Sequence, residues 1–183
     1  MLDITLVGVK PKLWRRVIVR ADRTLAQLHT IVQLAMGWSD DHLHVFTAHD
    51  GETFSDRREQ EADGFEDDQD GDEGKVRVSE VLPHDRAVLR YTYDFGDSWE
   101  HTIKRVKVAE DHPGPEPFLV QGARACPPED SGGVHGYADL LDAVADPSHP
   151  EHEEQLEWLG DPFDPEHFDE AAVRKDLSKA FRR

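Results

Sequence analysis

Four residues able to bind a metal ion or transfer protons are concentrated in one segment, residues 93–101, which reads YDFGDSWEH. They are Asp94, Asp97, Glu100 and His101. Gly96 predicts a sharp turn between two strands, and carboxylates beside an imidazole on such a turn could hold a divalent metal or share acid–base work. The structural alternative is that Asp94 and Asp97 accept turn N–H groups while Trp99 belongs to the core.

Two histidines, His42 and His44, lie at the start of a predicted strand. Residues two apart on a strand point to the same face, so both rings could bind one ion. Together with the segment above, they give a metal hypothesis with four ligands: His42, His44, Asp97 and His101. The same spacing equally suits two histidines that are hydrogen-bonded on the surface of a sheet. The sequence contains no Cys-x-x-Cys or His-Glu-x-x-His pattern.

A second polar segment, residues 126–137, begins CPPEDSGG. Its prolines stiffen the chain, and its glycines permit positive φ and a close approach to a partner or ligand. Catalysis by Cys126 would require a base or a helix N-terminus to lower the thiol pKa, and only His135 is near in sequence. Alternatively, Glu129 and Asp130 cap backbone amides ahead of a helix.

We therefore expect a polar cleft between residues 93–101 and residues 126–137. Its candidate ligand-binding residues are Asp94, Asp97, Trp99, Glu100, Cys126, Glu129, Asp130 and Tyr137.

Apolar periodicity predicts the elements that position these residues. Strands are predicted at 2–9, 13–20, 43–48, 52–55, 88–93, 99–108 and 118–121. An early helix is predicted from the N-cap Thr24 to Met36, with Gly37 ending it. Further helices are predicted at 137–144, 151–159 and 165–181, the last with Asp164 as its N-cap. Early strands and late helices predict an α+β fold, in which an early helix and a C-terminal group of helices pack on a largely antiparallel or mixed sheet.

The 183 residues are enough for one domain, and we assign residues 1–183 to it. Residues 50–74 hold twelve acidic side chains against two arginines, which is −10 of the net charge of −18. Residues 56–74 lack periodicity and are predicted to be a mobile loop. The acidic residues also resemble part of a calcium-binding loop with Gly71 at its sixth position. Arg77 would then occupy the twelfth position, where a Glu is required. A solvated acidic loop is therefore the better interpretation.

The composition also constrains partners and location. An acidic chain repels phosphates, so we do not expect direct nucleic-acid binding. No apolar run approaches the roughly 20 residues that span a bilayer, and the N-terminus does not have the pattern of a signal peptide. Cys126 is the only cysteine, which suits a reducing compartment, and we expect a cytoplasmic protein.

Four ordered motifs make the sequence similar to a known family. They are PKLWRR at 11–16, MGWSDDHLHVF at 36–46, YDFGDSWEH at 93–101 and CPPEDSGG at 126–133. The chain resembles the Ri-plasmid ORF-three-like family, also labelled insertion-element passenger TnpR-like proteins. The resemblance implies an α+β fold, a bacterial or archaeal origin and frequent association with mobile elements, and it brings no established biochemical activity. Resolvase chemistry would need a serine nucleophile among arginines and a basic DNA-reading helix, and the sequence has neither arrangement.

Two functional hypotheses remain open. The first is a non-catalytic binding or accessory module that holds a protein or a small ligand, because the motifs are rich in Pro, Gly and aromatic residues without a complete catalytic signature. The second is a metal-dependent hydrolase that uses the histidine and carboxylate cluster, with Glu129 or Asp130 contributing. A nucleic-acid accessory role would follow only from the association with mobile elements.

Overall fold

A computed structural model of the chain describes residues 1–56, 70–107 and 116–182. Across these ranges eight strands form one sheet: β1 (Leu2–Leu6), β2 (Trp14–Ile18), β3 (His44–Thr47), β4 (Thr53–Ser55), β5 (Gly71–Asp72), β6 (Val88–Tyr93), β7 (Trp99–Arg105) and β8 (Phe118–Ala123). Their order is β5-β4-β3-β6-β7-β1-β2-β8. All neighbouring strands are antiparallel except β4 and β5, which are parallel. The predicted α+β fold with a mixed sheet is confirmed.

The helices of the described ranges are α1 (Leu25–Met36), α2 (Val78–Val81), α3 (Gly133–Ala145), α4 (His152–Leu159) and α5 (Glu170–Ala180). Helix α1 begins and ends as predicted. Thr24 and Gln27 form a capping box, and Gly37 closes the helix with a φ of 98°. α5 contacts both α1 and β8, and α4 contacts α3. No helix in these ranges has the length and apolar character needed to cross a membrane.

Two predicted helix starts are wrong. The last helix begins at Glu170 rather than at Pro165, because Asp169 is its N-cap and accepts the N–H of Ala172 at 2.9 Å. Asp164 instead accepts the N–H of Glu166, which makes a local turn. Helix α3 begins at Gly133, four positions before the predicted start at residue 137, since its N-cap lies in the left-handed region at Gly132.

The end of the predicted acidic loop is packed rather than solvated. Residues 57–69 lie outside the described residues. Beyond them, Asp70 is buried and accepts hydrogen bonds from Thr53 and Ser55. Glu73 is also buried, and its carboxylate lies 2.7 Å from Nε2 of His44. Local sequence could not show this, because the partners of the two carboxylates lie 15 to 29 positions away.

A buried guanidinium connects strand β2 to three other parts of the fold. Arg15 is fully buried, and its N–H groups donate to the carbonyl oxygens of Ala35 at 2.7 Å, Ala123 at 2.8 Å and Arg124 at 2.8 Å. Its guanidinium carbon lies 3.7 Å from the centre of the Phe168 ring. Burial lowers the pKa of Arg15 to about 10, so the side chain remains charged at neutral pH. One cation therefore holds the end of α1 and the end of β8 together.

Arg15→Lys should destabilise the protein strongly, because one ammonium cannot reach carbonyls arranged around a planar fork. We expect the free energy of unfolding, measured by urea denaturation, to fall by about 2–4 kcal/mol. The matched control is Arg16→Lys, whose half-exposed side chain pairs with Asp3 and should contribute less than about 1 kcal/mol. Equal losses for the two variants would contradict the role given to Arg15.

Candidate functional site

Three connections of the fold meet on one surface, which we call the acidic junction. They are residues 37–43 between α1 and β3, residues 94–98 between β6 and β7, and residues 126–133, which lead into α3 and end at its first residue. The first and third connections touch through polar groups, since the indole Nε1 of Trp38 donates to the carbonyl of Pro127 at 3.0 Å. The junction therefore brings together parts of both predicted site segments and the segment that contains His42.

The second and third connections approach each other backbone to backbone. The amide of Gly132 donates to Oδ2 of Asp97 at 3.0 Å. Gly133 has a φ of 68°, and a Cβ there would lie 2.5 Å from the carbonyl oxygen of Asp97. The glycines do permit the close approach that the sequence predicted, but the backbone they approach is that of the turn. At this point direct contact leaves no cleft between the two segments.

The turn at residues 94–98 is fixed by its own first carboxylate. Asp94 has a φ of 56°, and its Oδ1 accepts the N–H groups of Gly96 at 2.8 Å and Asp97 at 3.3 Å. The structural role predicted for Asp94 is thus present. Only Oδ1 of Asp94 accepts these hydrogen bonds, and its Oδ2 lies on the side of His42.

One histidine and two carboxylates converge at the junction. Nε2 of His42 lies 3.8 Å from Oδ2 of Asp94 and 3.2 Å from Oδ1 of Asp130. One ligand atom from each residue lies within 4.8 Å of the other two. The His42 Nε2 atom is enclosed but makes no hydrogen bond, because Asp130 does not meet it in hydrogen-bonding geometry despite the short distance. This arrangement has the donor types of a transition-metal site.

The structure does not bring together the four metal ligands proposed from sequence. His42 is at the junction, whereas His44 bonds Glu73 and stacks on His29 with ring centres 3.6 Å apart. The carboxylate of Asp97 accepts a hydrogen bond from the N–H of Gly132. His101 is buried beneath Trp38, and its Nδ1 lies 2.9 Å from the carbonyl of Trp99. His42 and His44 thus have different partners, because only His44 of the two contacts His29 of α1 and Glu73.

Glu129 contacts the first connection directly and through the hydroxyl of Tyr93. Its Oε1 accepts the N–H of Ser39 at 2.9 Å and the hydroxyl of Tyr93 at 3.1 Å. The N–H of Asp41 donates to the same hydroxyl at 3.0 Å. Oε2 of Glu129 is enclosed and has no hydrogen-bond partner. Burial, with Glu129 adding to it, raises the pKa of Tyr93, so that phenol stays protonated.

The remaining candidates lie outside the exposed surface of the junction. Trp99 and Tyr137 are core residues, with 0% and 1% of their surfaces exposed. Glu100 is exposed, and it follows Trp99 on β7, so its side chain points to the opposite face of the sheet. Burial raises the pKa of the Cys126 thiol, and the nearby Arg15 lowers it only in part. The protonated thiol is a poor nucleophile.

Sequence reasoning missed three buried polar residues around the site. Arg15 could have been found, because it is in phase with the buried Leu13 and Val17. His29 and Glu73 gave no such signal, since each depends on a partner that is distant in sequence. A separate depression of about 520 Å³ lies between residues 48–52 and 80–88, and none of the predicted site residues lines it.

Comparison with known proteins assigns the family. The model of the plasmid pRiA4b ORF-3-like protein family matches residues 1–172, and the chain belongs to this family. It is 37% identical over 165 residues to the uncharacterized protein y4hQ of Sinorhizobium fredii, covering 87% of this chain and 79% of that one. The crystal structure of MM3350 from Methanosarcina mazei, a protein of unknown function, is similar with a TM-score of 0.79 and 35% identity, covering 97% of this chain and 96% of that one.

Gly133→Ala should separate the two connections at the junction. A Cβ at this position is unfavourable because φ is positive and because the Asp97 carbonyl oxygen occupies the space. We therefore expect the free energy of unfolding to fall by about 2–4 kcal/mol. Gly51→Ala is the control, because Gly51 also has positive φ but nothing lies within 4 Å of its added Cβ. It should cost about 1 kcal/mol. Chemical denaturation of both variants measures the difference, and equal costs would contradict a tight approach at Gly133.

Stability should also depend on pH through His101. Burial lowers the pKa of His101 from 6.5 to about 4. The folded protein therefore binds fewer protons than the unfolded chain between these values, and stability is lost as pH falls through this window. The loss should be on the order of 3 kcal/mol. Urea denaturation from pH 7 to pH 4 should show a smaller loss for His101→Gln, and equal losses would contradict a buried neutral imidazole.

Proposed function

We propose that this member of the plasmid pRiA4b ORF-3-like family is a non-catalytic binding module whose acidic junction binds a basic segment of a partner protein. The observation that carries the proposal is the composition of the three connections. They contain no lysine or arginine, and they contain six carboxylates: Asp40, Asp41, Asp94, Asp97, Glu129 and Asp130. A surface with one sign of charge attracts and orients a partner with the opposite sign.

Lysine and arginine are absent from long stretches of the sequence around the junction. Residues 24–56, which include α1 and β3, have no lysine or arginine. Residues 125–173, which include α3 and α4, have none either, although they carry fourteen acidic residues. Basic residues are concentrated in other segments, such as residues 10–23 and 174–183. This asymmetry favours a cationic partner and disfavours phosphate-bearing ligands.

An exposed aromatic residue supplies an apolar contact within this charged surface. Phe95 follows Asp94 in the turn, and 50% of its surface is exposed. The hydrogen bonds to Asp94 hold the turn, so little conformational entropy is lost when Phe95 packs on a partner. Aromatic anchors ringed by polar groups contribute much of the energy of protein interfaces. Phe95 therefore fits a partner that combines basic and apolar side chains.

Binding is better supported than catalysis by the groups at the junction. The convergence of His42, Asp94 and Asp130 is the observation that favours a metal-dependent hydrolase. However, the thiol of Cys126 is held protonated, and His101 is neutral and enclosed. Neither group can act on a ligand at the surface, because one lacks nucleophilicity and the other lacks access. The exposed carboxylates and Phe95 need no chemical step in order to bind a partner.

A labelled peptide of alternating lysine and leucine tests the proposal by fluorescence anisotropy. We expect saturable binding that weakens as salt is added, because the attraction is electrostatic, and no binding of the matching glutamate–leucine peptide. Phe95→Ala and Asp41→Asn should each weaken binding about fivefold or more.

The controls are Trp158→Ala and Asp139→Asn, which change an exposed aromatic residue and an exposed carboxylate outside the junction. Both should bind like the unaltered protein. Equal losses in the control variants, or unchanged binding after Phe95→Ala, would show that the junction is not the binding surface.

A further inference from the structure

The geometry points to a divalent-cation site formed by His42, Asp94 and Asp130, suited to Mn²⁺ or Zn²⁺. This set differs from the four ligands expected from sequence, with which it shares only His42. The inference goes beyond the proposed partner binding and does not depend on it, because the site uses ligand atoms that converge in the protein alone.

The distances between the ligand atoms suit one ion. Two donors that each lie about 2.1 Å from an ion are about 3.0–3.4 Å apart at octahedral or tetrahedral angles. Nε2 of His42 and Oδ1 of Asp130 are 3.2 Å apart, which is within this range. Nε2 of His42 and Oδ2 of Asp94 are 3.8 Å apart, so a small rotation of either side chain would complete the set.

Two of the converging ligand atoms make no hydrogen bond within the described residues. The Asp94 side chain is only 9% exposed, and within the described residues no hydrogen bond reaches its Oδ2. Nε2 of His42 is enclosed and also makes no hydrogen bond. An enclosed imidazole nitrogen without a partner is costly, and a carboxylate oxygen on a largely buried side chain is stabilised by a positively charged partner. A cation bound to both would satisfy the two atoms at once.

The backbone holds each of the two carboxylates independently. Asp94 has a φ of 56° at the start of its turn, and Asp130 has the same φ ahead of the Gly132–Gly133 pair. Ser131 fixes the second position further, since its hydroxyl donates to the carbonyl of Pro128 at 2.9 Å. The donors therefore lie on two rigid turns and at the entry to β3, a preorganised arrangement that favours tight binding.

The donor types and exposure select the class of ion. One imidazole with two carboxylates suits Mn²⁺, Fe²⁺ or Zn²⁺, whereas Mg²⁺ and Ca²⁺ prefer oxygen ligands alone. The Asp130 side chain is 73% exposed, so the outer side of the ion would face solvent and keep positions for water or a ligand group. The ion would also join all three connections of the acidic junction.

The test is isothermal titration of Mn²⁺ and Zn²⁺ into untagged, EDTA-treated protein. We expect one ion per chain, and at least tenfold weaker binding for each of His42→Gln, Asp94→Asn and Asp130→Asn. Asparagine tolerates positive φ and keeps the turn acceptor, so the two Asn variants should remain folded. Thermal unfolding checks this, and the ion should raise the melting temperature of the unaltered protein but not of these three variants.

His84→Gln and Asp139→Asn are the matched controls, because both residues are exposed and lie outside the junction. They should bind the ion like the unaltered protein. The absence of saturable binding, or binding that survives the three junction substitutions, would overturn the assignment. Peptide binding measured in EDTA reports separately on the proposed function.

Discussion

The approach of the Gly132–Gly133 backbone to Asp97 is the contact on which the rest of the site depends. A side chain at Gly133 would occupy the space of the Asp97 carbonyl oxygen, so the two connections can meet only where glycine is present. This contact sets the position of Asp130, two residues before Gly132, relative to Asp94. The junction is therefore assembled by backbone proximity, and the converging side chains follow from it.

The other end of the same connection is fixed by a different polar interaction. Arg15 binds the carbonyls of Ala123 and Arg124, just before the connection begins, and the carbonyl of Ala35 at the end of α1. The first and third connections thus start from points that one guanidinium holds together. Because a buried cation must have its donors satisfied, this arrangement tolerates little change, and it gives the exposed carboxylates a rigid support.

Local patterns predicted the parts of the fold that depend on local physics. The apolar stripe and the caps of α1 predicted that helix correctly. The alternation of apolar and polar residues predicted the main strands of the sheet. The predicted start of α5 was wrong because Asp164 and Asp169 are both residues favoured as N-caps, and in the structure Asp169 caps the helix while Asp164 holds a local turn. The sequence also singled out segments that meet at the junction, but it grouped His42 with His44 and His101, which the structure places elsewhere. His44 contacts Glu73 and His29, which are distant in sequence, and the ring of His101 packs against Trp38. Such partners cannot be read from spacing.

If the three connections form one binding surface for a basic partner, they should respond together when that partner binds. The most direct measurement is a two-dimensional NMR titration of the isotopically labelled protein with the lysine–leucine peptide. We expect the amide shifts to cluster in residues 39–42, 94–98 and 129–133 together. Shifts that are confined to other segments, such as α4, or that spread evenly over all acidic residues, would contradict this expectation.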